Sequence, residues 1–552
     1  MTGQSAVSLG APLRVPLFRR IWFASMLSNL GLLIQGVGAA WAMIRLSDDP
    51  AMVALVQTAL FIPVMLLSLA AGAIADMFDR RKVALVALSI CLVSAGLLCV
   101  ISFSGMLTPW LLLGLCFAIG CGMALFGPTW QASVSEQVPT ELLSQAIALN
   151  SISFNLARSF GPAIGGVIVA TAGAPSAFLL NALFYIPLFI VLLLWRRIPS
   201  PSRLPPERIG RAMTSGARFI IHSPPIRAVL LRTLATAVAG GGLYTLMPLV
   251  AKDLLEGSAQ TLGFILGAFG IGAIASAFMV DPLRARMASE KLIFISVLLL
   301  AATIVAVALS PWLWLTALAL LGSGWGWTTA LTLFIINIQL AVPRWVTGRA
   351  MAASQAASAG GLALAGWVWG QVASAFGVSD GLLLSAGVLL LTMLLRFGFR
   401  LPEVEARDME SVPLDDFDVA LDLTGRSGPI AIEIEYHVDP DRARPFYRAM
   451  QDVEQLRHRN GAYDWSLARD IADPSIWTEH FHCPTWHDYL RQRDRNTSEE
   501  LRTIALAAAF QTPGREPVVR RRLVRPFGSV RWRDESRDEG LNDAVPISAG
   551  LG

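Results

Sequence analysis

"GAIADMFDRRK", residues 72–82, closes a long apolar run and then sets Asp76, Asp79, Arg80, Arg81 and Lys82 within eleven residues. A solvated turn is satisfied by any polar residues, so a charge cluster this dense raises the question of what the flanking runs are. Of the chain's 552 residues 54% are hydrophobic and only 15% charged, with a mean hydropathy of +0.56. A soluble globular protein carries about 25% charged residues, so the composition points to a membrane protein. From Leu17 to Phe399 the chain is a train of apolar runs, many near the ~20 residues that a helix needs to cross a bilayer. After Arg400 it turns polar and Arg-rich.

By that length criterion there are about twelve spans, over residues 17–45, 51–76, 83–105, 109–134, 143–172, 176–196, 226–251, 258–282, 290–310, 312–340, 346–375 and 379–399. The runs are continuous and lack the alternation of a barrel strand, so they are helices. Arg and Lys crowd every second loop: Arg14, Arg19 and Arg20; Arg80 to Lys82; Arg196 to Arg218; Arg284, Arg286 and Lys291; Arg344 and Arg349. The alternate loops "SFSGMLTP" and "TAGAPS" are uncharged. The positive-inside rule then places both termini in the cytoplasm, and a bacterial inner membrane is the expected location. The first run is too long for a signal-peptide core and leads into further spans, which makes it an uncleaved helix. Four of the five cysteines sit in apolar runs and none forms a CxxC, which argues against a disulfide framework or a zinc site.

The chain also repeats. "PWLLLGLCFAIGCG" from Pro109 aligns with "PWLWLTALALLGSG" from Pro311, an offset of 202 (311 − 109), pairing Gly120 and Gly122 with Gly322 and Gly324. "VPTELLSQAIA" from Val138 aligns with "VPRWVTGRAMA" from Val342 at 204 (342 − 138), pairing Gly166 with Gly370 and Gly173 with Gly377. The expected fold is therefore an all-α membrane domain of two parallel six-helix halves, 17–196 and 226–400, with substrate bound between them near mid-membrane. Around them lie a cytoplasmic N-terminus 1–16, a basic linker 197–225 with a short amphipathic helix over "ARFIIHS", a flexible linker 401–428, a soluble domain 429–526 and a disordered tail 527–552.

In that frame the opening stretch is the turn between helices two and three. It resembles the signature loop of the major facilitator superfamily: Gly72, then Asp76, then Arg80 and Arg81, with Asp79 where the family usually has glycine. The resemblance implies that Asp76 caps the eleventh helix, just after Pro343, as part of a gate. A carboxylate at a helix N-terminus is favoured by about 0.3–1 kcal/mol when exposed. Arg80 is expected to reach Glu136. The second motif, "NLARSFGPAIGG", places Gly161, Pro162, Gly165 and Gly166 inside the fifth run and resembles the fifth-helix motif of facilitator exporters. Arg158 lies in the same run. A mid-membrane Arg costs about 2.5–3.5 kcal/mol on insertion scales, so it faces protein or water. It either contacts an anionic substrate or pins the helix to a neighbour's carbonyls. Asn155, Asn29, Gln35 and Gln131 are further cavity candidates, each with the alternative of a helix–helix hydrogen bond. The Arg that many proton-coupled exporters carry before the fourth helix's Gly-x-Gly is Cys116 here, and the first helix has no acid. The two readings are coupling to protons through Asp76, Asp281 or Glu136, and coupling to something other than protons. No P-loop is present, so ATP is not the direct driver.

The soluble segment reads β-α-β-β-α-β: "IAIEIEYHV", "DRARPFYRAMQDVEQLRHRN", "YDWSLARDI", "SIWTEHFHC", a helix from Pro484 broken near Asn496, and "EPVVRRRLV". It resembles small ferredoxin-like domains related to antibiotic-biosynthesis monooxygenases, which pair as dimers, so self-association through it is an expected partner mode. His480 and His482 fall on one strand face, but no third metal ligand is evident. The whole resembles the branch of bacterial facilitators that includes enterobactin exporters. The expected activity is export of a small amphipathic metabolite, siderophore or drug by alternating access, with no catalysis, cofactor, metal or nucleic-acid partner. The alternatives are another cargo or direction, such as a lipid or nutrient, and a membrane-tethered enzyme whose tail pocket is lined by some of Trp465, Trp477, His480 and His482.

Overall fold

The structure is a computed structural model. It describes residues 10–139, 142–195, 214, 217–343, 346–401, 419–421, 423–494 and 496–524, without the side chains at 73, 75–77, 132, 135, 144 and 494. The expected tail 527–552 lies outside the described residues. The chain divides into two units at 411/412.

Among its described residues the first unit carries twelve long helices: α1 (Pro16–Leu46), α2 (Pro50–Met77), α3 (Arg80–Phe103), α4 (Pro109–Ser133), α5 (Leu143–Ala172), α6 (Ala174–Leu194), α7 (Pro224–Leu249), α8 (Ala259–Arg284), α9 (Ser289–Leu309), α10 (Leu313–Ala341), α11 (Thr347–Phe376) and α12 (Val378–Thr392). Residues 217–221 form a helical turn ahead of α7, with Phe219 buried beneath it. Eleven of the twelve segments are long and apolar enough to cross a membrane. The exception is α11, whose sequence is rich in Ala, Gly and Ser. Such residues score low in hydropathy, but they let backbones approach closely, and that is how membrane helices pack.

The two six-helix halves meet along two seams, α2 against α11 and α5 against α8. Each seam maps onto the other when helix n is exchanged for helix n + 6, as a parallel repeat requires. Glycines make both. A Cβ on Gly166 would lie 2.7 Å from the Gly263 Cα and from the Ala259 carbonyl of α8. Its counterpart Gly370 would place one 2.8 Å from the Ala54 Cβ and 3.1 Å from the Ala51 Cα of α2. Gly173 and Gly377, also paired in the sequence, both sit at φ of +80° and +92° in the tight α5–α6 and α11–α12 turns. The glycines of the "GPAIGG" stretch are divided between partners. Gly161 and Gly165 press on Leu33 and Ile34 of α1, and Gly166 presses on α8.

Packing corrects one register. In the 202 alignment Gly120 pairs with Gly322, yet Gly120 lies against Leu60 and Pro63 of α2 while Gly322 lies against Thr303 of α9. The residue against α8 is Gly324, and the one against Ser296 and Leu300 of α9 is Gly326, matching Gly122 against Ala87 and Cys91 of α3. The glycine offset is thus 204 throughout (324 − 120; 326 − 122). The Pro-Trp pairs stay at 202, Pro109 opening α4 and Pro311 lying ahead of α10, while the glycines mark which neighbour each face meets.

The second unit is a four-stranded antiparallel sheet, order β2-β3-β1-β4, built from β1 (Ile430–His437), β2 (Tyr463–Arg469), β3 (Ile476–Cys483) and β4 (Val518–Leu523). Helices α13 (Ala443–Arg459), α14 (Trp486–Asp494) and α15 (Ser498–Ala508) complete the ferredoxin-like order. The break near Asn496 is a new start: Thr497 caps α15 in a reciprocal box with Glu500.

Gly263→Val is expected to lower the thermal midpoint of the purified protein and abolish transport. It forces a branched side chain into backbone contact, an overpacking cost of about 1–3 kcal/mol or more. Gly96→Ala, where a Cβ meets nothing within 4 Å, should leave the midpoint unchanged or raise it.

Candidate functional site

The charged turn is held by three separate devices. Asp79 accepts a hydrogen bond from the Arg81 backbone N–H at 2.9 Å and so caps α3. Its backbone, at φ −59° and ψ 111°, needs no glycine, which explains how this chain does without the family's residue there. A carboxylate at that position satisfies an orphan N–H and complements the helix dipole. Arg80 donates to Glu136 at 2.9 Å, the contact expected from the sequence. Arg81 donates to the carbonyls of Leu192, at 2.8 Å, and Leu193. These are last-turn carbonyls of α6 without intrahelical partners. The cluster therefore ties α3, α4 and α6 within one half. The side chain of Asp76, together with Arg344 and Trp345 at the approach to α11, lies outside the described residues, as does the expected cap.

At the middle of the α5–α8 seam, Arg158 lies over the Phe269 ring of α8 at 5.7 Å. The Phe269 ring is 6.4 Å from that of Tyr244 on α7. Among the described residues Arg158 has no hydrogen-bond or ion-pair acceptor, and its side chain is only half-buried. An Arg stacked on an aromatic face keeps its N–H edges free, and at mid-membrane depth those edges need water or a ligand. The first half supplies the cation and the second half the two rings, so the cluster changes geometry whenever the halves move.

The other sequence candidates disperse. Asn155 donates to Ser151 on its own helix at 2.9 Å. Asn29 is half-buried on α1 and Gln131 is exposed on α4. Gln35 is 2% exposed and accepts from Asn181 of α6, inside the first half. Phe269 and Tyr244 were invisible to the sequence reading because an aromatic in an apolar run looks like core. Arg232 was missed as well. It is buried on α7 and grips Glu290 of α9 with two bonds of 2.8 and 2.9 Å.

The seams differ between their ends. Away from Arg80, Ser374 of α11 donates to Asp49 at 2.5 Å and Lys252 lies 3.9 Å from Asp48, both across the halves. At the Arg80 end of the same α2–α11 seam, a Cβ on Gly72 would meet, among the described residues, Ala352 at an ordinary 3.8 Å.

In the soluble unit, strand alternation puts Trp477, Glu479, Phe481 and Cys483 beneath the helices and His480 and His482 on the opposite face. Of the residues from which an enzyme pocket could draw, Trp465 and Trp477 lie on the helix side of the sheet and His480 and His482 on the other. Glu479 is fully buried. It accepts from Arg457 at 2.9 and 3.3 Å, Tyr436 at 3.2 Å and Trp465 at 3.0 Å. Burial, and after it the Glu479 charge, hold the Tyr436 phenol well above its ordinary pKa, so it is a neutral donor to that carboxylate. Burial pushes the Cys483 thiol up to about 12, leaving it inert. Burial and the neighbouring His480 lower the His482 pKa, favouring a neutral ring. No group of three metal-ligating side chains occurs among the described residues.

A family model described as "Transmembrane secretion effector" matches residues 7–526. The chain belongs to that family of major facilitator transporters, and it is a secondary transporter of a small molecule. Among its relatives, the enterobactin exporter EntS of Shigella flexneri is 28% identical over 411 residues, 71% of this chain and 96% of the relative. The staphyloferrin A transporter of Staphylococcus aureus is 26% identical over 288 residues, 51% of this chain and 72% of the relative. The membrane fold is shared with the crystal structure of the nucleoside transporter NupG, at a TM-score of 0.56 and 13% identity over 69% of this chain and 98% of that one. It is shared too with an inward-facing bacterial homologue of the human lysosomal transporter Spinster, at 0.56 and 14% identity over 70% and 98%.

Arg457→Met is expected to unfold the soluble unit preferentially, because a buried carboxylate left without its cation costs about 3–5 kcal/mol. Limited proteolysis of the full chain should then clip the region after residue 429 while the membrane helices stay protected.

Proposed function

We propose that this transporter exports a small anionic amphipathic metabolite, with a siderophore as the sharpest version, by alternating access across a bacterial inner membrane with both termini in the cytoplasm. The observation that carries the reading is Arg158, an unpaired cation stacked on Phe269 between the two halves. A free guanidinium edge suits a carboxylate or a ring of oxygen donors, and the Phe269 and Tyr244 faces suit the apolar part of the same molecule. The kinship with an enterobactin exporter and a staphyloferrin A transporter supports that cargo class. Asn155, Asn29 and Gln131 remain cavity candidates, whereas the bond from Asn181 gives Gln35 a packing role.

The gate is read as follows. The inter-half ties at Asp49 and Asp48, with the tight Gly370 contact, support a state closed at that end and looser at Gly72. In our reading this is the cytoplasm-open state. Closure at the Arg80 end brings Asp76 to the start of α11, while Arg80, Arg81 and Glu136 keep the turn rigid. Protons are the proposed coupling ion, with Asp76, Asp281 and Glu136 as candidate carriers. The soluble domain, 429–526 between linkers, is proposed as a non-catalytic regulatory or self-associating module, since both carboxylates buried among its described residues are engaged, Glu479 by Arg457, Tyr436 and Trp465 and Glu500 by Arg459, Asn460 and the Thr497 N–H.

The deciding experiment compares secreted and cell-retained metabolites in wild type and a deletion strain, iron-replete and iron-starved, with an Arg158→Ala complement. One secreted metabolite should vanish from the medium and accumulate in the deletion cells, and the Arg158→Ala protein, at normal abundance, should fail to restore its export. Unchanged export in both media would overturn the siderophore version. Glu136→Arg should cut transport at least tenfold. Adding Arg80→Glu should restore a measurable part of it if the pair acts as a brace, and none if Glu136 carries protons.

A further inference from the structure

A second concave site lies off the transport seams, inside the second half. Arg232, Glu290, Phe294, Phe334 and Arg396 line a shallow notch, open to the surface, between α7, α9, α10 and the end of α12. Glu290 and Arg396 place it at one membrane boundary: Glu290 is the second residue of α9, and Arg396 follows the last turn of α12. By the parallel repeat, the start of α9 is the same boundary as the start of α3, where Arg80 sits.

The charges in the recess do not balance. Both Glu290 oxygens are taken by Arg232, at 2.8 and 2.9 Å. Arg396 has no hydrogen-bond or ion-pair partner among the described residues. Its guanidinium lies over the Phe294 ring at 5.1 Å and the Phe397 ring at 4.8 Å. An Arg near a helix end ordinarily snorkels outward to the interface. This one turns inward onto α9, with its N–H edges left for an anion. Beside it, Leu298, Leu391, Leu394 and Phe397 are exposed apolar side chains of the bundle surface. The arrangement is amphipathic in one direction, a cation-lined notch above an apolar wall.

We propose that this recess binds the phosphate of an anionic phospholipid, with Arg396 as the headgroup contact and the Leu298–Leu391–Leu394 wall against an acyl chain. Basic recesses between membrane helices on the Arg-rich side are suited to anionic headgroups, and the planar guanidinium matches phosphate geometry. Transport substrate is not the proposed occupant. The recess is enclosed by one half only, so its shape does not alternate with the seams.

The test is native mass spectrometry of the detergent-purified full chain with phosphatidylglycerol or phosphatidylcholine of the same acyl chains. Phosphatidylglycerol should bind in preference. Arg396→Gln should reduce that preference by about fivefold, roughly the worth of one basic contact at an anionic surface, and Arg396→Lys should retain part of it. Equal binding of the two lipids, or an unchanged preference in Arg396→Gln, would overturn the proposal. Displacement of the lipid by millimolar inorganic phosphate would overturn it too, and would make the notch a free-anion site. All these readouts concern lipid retention, so they stand or fall independently of the cargo proposed above.

Discussion

Backbone-to-backbone contact across two seams is the constraint on which the rest of the membrane unit depends. In lipid there is no hydrophobic force to hold one apolar helix to another, so association rests on close packing of small residues. Gly166 on Gly263 and Gly370 on Ala51 and Ala54 supply it in this chain. The same smallness makes the seams separable. Glycine and alanine contacts hold two halves without interlocking side chains, so one half can rock against the other at little steric cost. Arg158 sits within this contact: a Cβ on Gly270 of α8 would lie 2.9 Å from the Arg158 carbonyl, while the Arg158 side chain lies over the Phe269 ring.

The charged turn serves a different end. Two of its bases make contacts inside one half, Arg80 with Glu136 and Arg81 with the end of α6. A rigid turn is what a lever needs, since a moving half must carry its loops along with its helices. The second half solves the corresponding problem with Arg232 and Glu290, joining the start of α9 to α7. The repeat is thus preserved in helix packing more faithfully than in its ion pairs.

The soluble unit puts its polarity inside. Glu479 beneath the helices is satisfied by three donors, and such a buried network specifies one arrangement at the cost of desolvating its charges. Across the sheet, Glu433 and Glu435 pair with Arg522 and Arg520 at 2.9 and 2.8 Å in partly exposed positions, where ion pairs contribute little. That outer face, with His480 and His482 at its centre, is shaped by cross-strand pairing and carries no buried acid.

Much of this was legible in the chain itself. Runs of apolar residues can only be helices when no water is there to satisfy backbone groups, and alternating basic loops order them. Gly166 and Gly370, and Gly173 and Gly377, announced the repeat because a backbone that must touch or turn admits no other residue. The β-α-β-β-α-β order was readable from local alternation, and the Arg80–Glu136 contact from the resemblance of the charged turn to the superfamily's signature loop. What depended on tertiary structure was which face of each helix meets which neighbour. The 202 register failed at Gly120 for that reason, Gln35 turned out to be bonded to Asn181, and Phe269 and Tyr244 could not be told from core. A helix's period shows that it has faces; only the packed bundle assigns them, because in a uniformly apolar run no hydrophobic pattern separates the face toward lipid from the face toward the partner half.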